Sequence, residues 1–337
     1  MRANPFPRSR AAAWATLALA AAGLSSCSAD AQDNAAANAI ELARYLPEDS
    51  ALVQTVDVAQ ARRELELPDD ANAAPADLRR RSPDSAQSRL VELTSRGFPV
   101  VLAAGRSKPK TKGASPLDGT LIRAAAAAQG PVSVSVVSTS EPFDDIAVKL
   151  EAAGYASKRD LYLAGRRTPA TASGVVADGG SGRVVFAQDE RDASRVLTRI
   201  DDEAEPGTAA EALGAVSGSV RLAATADAKR SSCVEALAAA QSASGRGAIM
   251  AFAISGEKPD PDRFDPSALK ALDTGTPSVL VDALLVPFNV ARPVGDLTEP
   301  ITELLSIAEM KSVSLGEGES ARDLPPLSRP FDAYDCP

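Results

Sequence analysis

Ser267-Ala268-Leu269-Lys270 has the spacing of a Ser-x-x-Lys nucleophile, in which a lysine one helical turn after a serine takes the hydroxyl proton. That chemistry comes with Ser-Asp-Asn and Lys-Thr-Gly companions. The first is absent, and Lys110-Thr111-Lys112-Gly113 only approximates the second. Asp265-Pro266 just ahead is an ordinary N-cap and N1 pair, so the run reads as a solvated helix start. Ser107-Lys108-Pro109-Lys110 has the same spacing, but Pro109 breaks the helix it needs. Asp260, Asp262 and Asp265 invite a calcium reading. An EF-hand loop requires glycine at its sixth position and a distal bidentate glutamate, and here Pro259, Pro261 and Phe264 interrupt it, so a polar loop is the plainer answer. Gly179-Gly180-Ser181-Gly182 lies between two strand-like runs and is not followed by Gly-Lys-Ser/Thr, so it is a hairpin turn and not a phosphate loop.

The chain of 337 residues has no histidine, which excludes Ser-His-Asp and Cys-His sites and most zinc and copper sites. No motif points to a metal or a cofactor. Carboxylate-only hydrolysis needs two acids that the fold brings together and leaves no spacing to read. Arg106, Lys108, Lys110 and Lys112 form a basic patch that fits contact with anionic headgroups or wall polymers, a solvated loop being the alternative.

The first ten residues carry Arg2, Arg8 and Arg10 and no acid, and Ala11 to Gly23 is an uncharged Ala/Leu-rich run. This is the build of a secretory signal. A membrane span would need about 20 apolar residues. Without an adjacent arginine pair, the general secretion route is expected. Leu24-Ser25-Ser26-Cys27 then resembles the lipobox of bacterial lipoproteins. The resemblance implies a diacylglyceryl group on Cys27, cleavage just before it, and a mature chain tethered to the cell membrane on its extracytoplasmic side by two or more acyl chains, without spanning.

Removing 26 residues leaves 311, enough for two domains or one large one. Net charge is −9, and loss of three signal arginines takes the mature chain to about −12, which argues against nucleic-acid binding. With Cys27 lipidated, Cys233 and Cys336 remain, and two thiols in an oxidising compartment suggest one disulfide.

The fold expected is α+β, with antiparallel sheets and helices packed on one face. The core is to be built from Ala, Val and Leu. Strands are expected at Leu52 to Val58, Val100 to Ala103, Val132 to Val137, Leu161 to Leu163, Gly174 to Ala177, Arg183 to Ala187, Val220 to Thr225, Ala248 to Ser255 and Ser278 to Val286. Helices are expected at Ile40 to Leu46, Ala59 to Leu67, Leu90 to Ser95, Leu117 to Gln129 with its five alanines, Asp144 to Ala153 closed by Gly154, Ile200 back to its cap Asp189, Ala228 to Gln241, Ser267 to Leu272 and Pro300 to Met310.

The partition is a signal (1–26), a tether (27–39), a first α+β domain (40–200), an acidic linker (201–217), a second α+β domain (218–323) and a Pro-rich tail (324–337). Element order suggests that the two domains are tandem repeats of one unit: Leu52 to Arg62 compares with Val220 to Gln241, Val132 to Leu150 with Ala248 to Leu272, and Arg183 to Ile200 with Ser278 to Met310. Leu46-Pro47-Glu48, Gly154-Tyr155 and the hairpin from Val175 to Asp189 are similar to a class of bacterial surface lipoproteins that brings no known activity.

The functional expectation is a membrane-anchored envelope lipoprotein that binds or scaffolds, with an envelope protein or a small apolar ligand as partner and an apolar or shallow largest concavity. The alternatives are an envelope hydrolase with a carboxylate or Ser/Lys site, and a solute-binding receptor.

Overall fold

The computed structural model describes residues 39–50, 52–73, 85–97, 117–129, 132–165, 168, 173–216, 221–226, 233–241, 248–254, 258–265, 273–274, 276–280, 283–289 and 334–336. Residues 36–337 form one compact unit. In chain order the elements are α1 (Ala39–Ala43), β1 (Leu52–Asp57), α2 (Val58–Glu64), α3 (Ala86–Gly97), β2 (Ile122–Gln129), β3 (Val134–Thr139) and α4 (Phe143–Ala152). They continue with β4 (Tyr155–Lys158), β5 (Leu161–Ala164), β6 (Val175–Asp178), β7 (Arg183–Ala187), α5 (Glu190–Asp201) and α6 (Thr208–Gly214). The last are β8 (Arg221–Ala226), β9 (Val234–Gln241), β10 (Ala248–Ile254), a 3₁₀ turn (Pro261–Arg263), β11 (Asp273–Thr274), β12 (Ser278–Leu280) and β13 (Ala283–Asn289).

All thirteen strands join one antiparallel sheet, ordered β11-β13-β10-β9-β8-β1-β2-β3-β7-β6-β5-β4, with β12 also on β13. The α+β class stands, with two changes of detail. Helices cover both faces and not one. Leu42, Val196 and Leu213 of α1, α5 and α6 pack with Val53, Val136 and Ala238 on one face, while Ala61, Leu90 and Ile146 of α2, α3 and α4 pack with Val56, Val137 and Phe186 on the other. The strands alternate apolar residues to both sides, so each face needs its own cover. The linker expected at 201–217 contains α6, and β8 beyond it pairs directly with β1, so both halves build a single sheet.

Two expected helices are strands. Leu117 to Gln129 gives a turn and then β2, and Ala228 to Gln241 ends in β9. Alanine favours helices by only fractions of a kcal/mol per residue, which tertiary context overrides. In β2, Ala124 to Ala128 are all buried at 0–1% exposure between β1 and β3, with both faces covered.

The repeat is visible in the pairing itself. Ile122-Arg123-Ala124-Ala125-Ala126-Ala127-Ala128-Gln129 aligns with Val234-Glu235-Ala236-Leu237-Ala238-Ala239-Ala240-Gln241. Gln129 pairs with Leu52 of β1, and Gln241 with Arg221 of β8. That alignment makes Gln54 the counterpart of Ala223, and these two residues pair with each other at the centre of the β1–β8 ladder. A pseudo-twofold axis therefore passes between them. The same irregularity recurs on both sides: Ile122 pairs with Thr139 past an unpaired Arg123, and Val234 with Ile254 past an unpaired Glu235. A bulge is a specific feature of a strand pair, so its recurrence at one register position supports duplication. α1 packs on β1 and β2 as α6 packs on β8 and β9.

Local signals set the ends of several elements. The Asp57 carboxylate accepts from the Gln60 N–H at 2.7 Å to start α2, and Asp189 accepts from the Asp192 N–H at 2.9 Å to start α5. Gly154, at φ 95°, ends α4 in a left-handed conformation, and the buried Tyr155 after it donates its hydroxyl to Ser173 O at 2.8 Å. Burial pushes the Tyr155 phenol up to about 12. Cys233 and Cys336 form a disulfide with Cα atoms 5.7 Å apart, joining the chain end to the start of β9.

Candidate functional site

α5 is amphipathic. Ala193, Val196 and Ile200 face the sheet, which leaves Arg191, Arg195 and Arg199 in a row at i, i+4 and i+8. The row lines an open groove of about 700 Å³ together with Ser194, Thr198 and the loop Pro47-Glu48-Asp49 after α1. Arg195 pairs with Asp49 at 2.6 Å and Arg199 with Glu48 at 2.8 Å. Both carboxylates are more than half exposed, so each pair contributes about 0–1 kcal/mol. Arg199 is more firmly seated, since its guanidinium also donates to the carbonyls of Arg44 (2.9 Å) and Glu205 (2.5 Å). Arg191 is exposed and forms no ion pair with a described residue. It also borders a second open depression with Leu163, Gly174, Val175, Asp189 and Glu190 at the start of the helix.

Beside the groove, Arg44 and Arg183 stand over the Tyr45 ring at 5.8 and 5.1 Å, and Arg183 donates to the Tyr45 hydroxyl at 3.0 Å. The concavity expected is apolar or shallow; this groove is open and shallow, with a charged lining. Guanidiniums on one helix face, with hydroxyls between them, can meet planar anionic groups in bidentate fashion, and the weak pairs to Asp49 and Glu48 can be exchanged for such a partner.

Other titratable groups with shifted or buried side chains do not line the groove. Asp57, on the far side of β1, is shifted upward mainly by burial, and Glu211 on α6 is shifted upward by burial and by Glu205 and Glu235. Asp192 is buried under the start of α5 and is shifted upward by burial and by Asp189. Glu141 is buried, pairs with the Lys149 ammonium and accepts from the Asp118 N–H at 2.9 Å. Thr120 holds the Asp118 carboxyl below the usual range through a backbone and a hydroxyl hydrogen bond.

Arg62 is the most buried cation described, at 3% exposure. It donates to Ala71 O, Ile122 O, Gly119 O and Thr120 O at 2.8–3.2 Å. These acceptors are neutral carbonyls, and desolvation lowers its pKa against the pull of Asp69 and Asp70. It clamps the turn before β2.

Cys27, Arg106, Lys108, Lys110, Lys112, Ser267 and Lys270 lie outside the described residues. Of the aspartates weighed for calcium, Asp260 spends one oxygen capping the 3₁₀ turn (Asp262 N–H, 3.0 Å) and faces Arg263 with the other (3.9 Å). Gly179 to Gly182 form the β6–β7 turn. No group of three or more potential metal ligands occurs among the described residues. The groove itself was not foreseen. The arginine spacing is visible in the sequence of a helix whose cap was read correctly, but its carboxylate partners are 146 and 151 positions away.

No protein-family profile and no curated protein matches the sequence. Among solved structures, crystal forms I, III and IV of TP0453 are distantly similar, with TM-scores of 0.41, 0.39 and 0.39 and identities of 11%, 10% and 10%. The matches cover 80%, 74% and 82% of this chain and 98%, 92% and 98% of those chains. Among the described residues, no helix is long and apolar enough to cross a membrane.

Proposed function

We propose that this protein is a cell-envelope lipoprotein, held on the extracytoplasmic side of the membrane through Cys27, that works by binding an anionic partner along α5. One observation carries the binding surface: Arg191, Arg195 and Arg199 line one open groove with Ser194 and Thr198 between them. The charge of that lining favours an acidic face of an envelope protein over a small apolar ligand. The tether rests on the signal and on Leu24 to Cys27.

A photocrosslinking residue at Thr198 tests the groove in the anchored protein. A discrete crosslinked species is expected, weakened when Arg191 and Arg195 are both changed to Glu. If Thr198 captures nothing while positions on α4 do, the groove is not the contact surface. Cys27→Ser tests the tether: the mature protein should lose a diacylglyceryl mass and leave the membrane fraction. An unmodified Cys27 in membrane-bound wild-type protein would overturn that part. Turnover of an ester, peptide or glycan that disappears in Ser267→Ala would replace binding with hydrolysis.

A further inference from the structure

The two repeats secure the start of their alanine strand by different chemistry. In the first, Arg62 clamps the backbone at Gly119, Thr120 and Ile122, where β2 begins. In the second, the residue before Val234, the counterpart of Ile122, is Cys233, and its disulfide to Cys336 holds that point. The guanidinium clamp is indifferent to thiols. The disulfide is not.

The disulfide also fastens a short strap. Tyr334 is 4% exposed and bridges to Phe264, its hydroxyl accepts from the Asp260 N–H at 2.9 Å, and the Asp335 N–H donates to Arg263 O at 2.9 Å. Phe264 in turn stands edge-on against Phe252 of β10 at 5.7 Å, on the sheet face shared with Leu284 and Val286. Besides the covalent bond, the Phe264 bridge and these two backbone-donated hydrogen bonds connect the strap to the second repeat. Both cysteines are only partly buried, so a thiolate can reach them.

We propose that Cys233–Cys336 is a thiol-labile clasp. Its reduction releases the strap Tyr334–Cys336 and loosens the second repeat around Phe252 and Phe264, while the first repeat stays closed. The reductant is a dithiol. One of its thiolates attacks a disulfide sulfur, a mixed disulfide forms and the other cysteine leaves as thiolate. The second dithiol sulfur then displaces the protein sulfur. The dithiol ends as a disulfide and its two protons end on Cys233 and Cys336. The geometry also assigns the direction of attack. The Cys233 N–H donates to the Cys336 sulfur at 3.0 Å, which stabilises negative charge there. Cys336 is therefore the better leaving group, attack falls on the Cys233 sulfur, and the strap is freed in the first step.

The test uses the full chain. Brief exposure to glutathione, quenching with N-ethylmaleimide and peptide mass analysis should find glutathione on Cys233 and maleimide on Cys336. The reverse pattern overturns the assigned direction. Hydrogen exchange is then compared before and after dithiothreitol. Amides of β9, β10, residues 260–264 and residues 334–336 should exchange at least ~10-fold faster in the reduced protein, with β2, β3 and β7 unchanged. Unchanged protection in the second repeat, or equal loss across the whole sheet, overturns the clasp. The Cys233→Ser/Cys336→Ser double variant should reproduce the reduced pattern. The measurement on wild-type protein stands if that variant does not fold.

Discussion

Replacing Arg62 tests whether the first repeat is held by a set of directed hydrogen bonds or merely by a buried positive charge. Arg62 is 3% exposed and satisfies Ala71 O, Ile122 O, Gly119 O and Thr120 O. Arg62→Met fills much of the volume and removes every donor. Each buried carbonyl left without a partner costs about 1–3 kcal/mol. Gly119 O keeps the Ala73 N–H, so the low end applies and the loss is roughly 3–4 kcal/mol. Relief from burying a cation returns part of this, leaving a net destabilisation of about 2–3 kcal/mol. Arg62→Lys is the sharper substitution, because it retains the cost of burying a charge but offers three donors from a point instead of a planar fork. It should destabilise at least as much as Arg62→Met. The assay is urea unfolding of residues 36–337 with the disulfide intact, reading a midpoint lower by about 1 M at unchanged slope. An Arg62→Lys variant as stable as wild type would refute the reasoning, since charge alone would then suffice.

Asp189→Ala removes the oxygen that accepts from the Asp192 N–H and should cost about 1 kcal/mol in the same assay, with fraying at the start of α5 seen as faster exchange at Arg191 and Asp192. Gly182→Ala should cost roughly 2–3 kcal/mol, because Gly182 sits at φ 71° and an added Cβ would lie 2.7 Å from Thr139 O; a loss below 1 kcal/mol would show that the β6–β7 turn yields easily. Asp192 is shifted upward, chiefly by burial, so the folded state holds its proton more tightly than the unfolded state does. Its ionisation therefore lowers stability as pH rises from the unfolded value near 3.9 through the folded one. Asp192→Asn should gain on wild type across that rise and converge with it at lower pH. A constant difference at every pH would show that its carboxyl does not titrate differently on folding.

Signals carried by neighbouring residues were legible. The hairpin from Val175 to Ala187, the cap at Asp189 and the stop at Gly154 each depend on groups within a few positions, and the structure places them where local patterning puts them. The two cysteines were legible by counting. Whatever depends on distant chain was not. Nothing near Arg62 marks it as buried, because three of its acceptors are 57 to 60 positions away. The α5 arginines are less conspicuous in sequence than Arg106 to Lys112, because their mark is a regular four-residue spacing on a well-capped helix and not a dense run of charge.

The misread alanine strands carry information of their own. β2 and β9 mislead in the same way because they are counterparts, down to the charged residue passed over at the bulge and the glutamine at the end. Duplication explains why tandem order was detectable while separate domains did not follow. Two copies of an open sheet each present the β1-type strand as an unpaired edge, a liability that one antiparallel pairing removes for both. Pairing Gln54 with Ala223 does this about a single axis and places both copies of the strand at the centre of the sheet. The copies differ in their described cover. Among the described residues, the first carries α2 and α3 with the Arg62 clamp, and the second carries a C-terminal strap and a disulfide. Any function that depends on releasing part of this sheet would therefore act on the second copy, where the fastening is covalent and reversible.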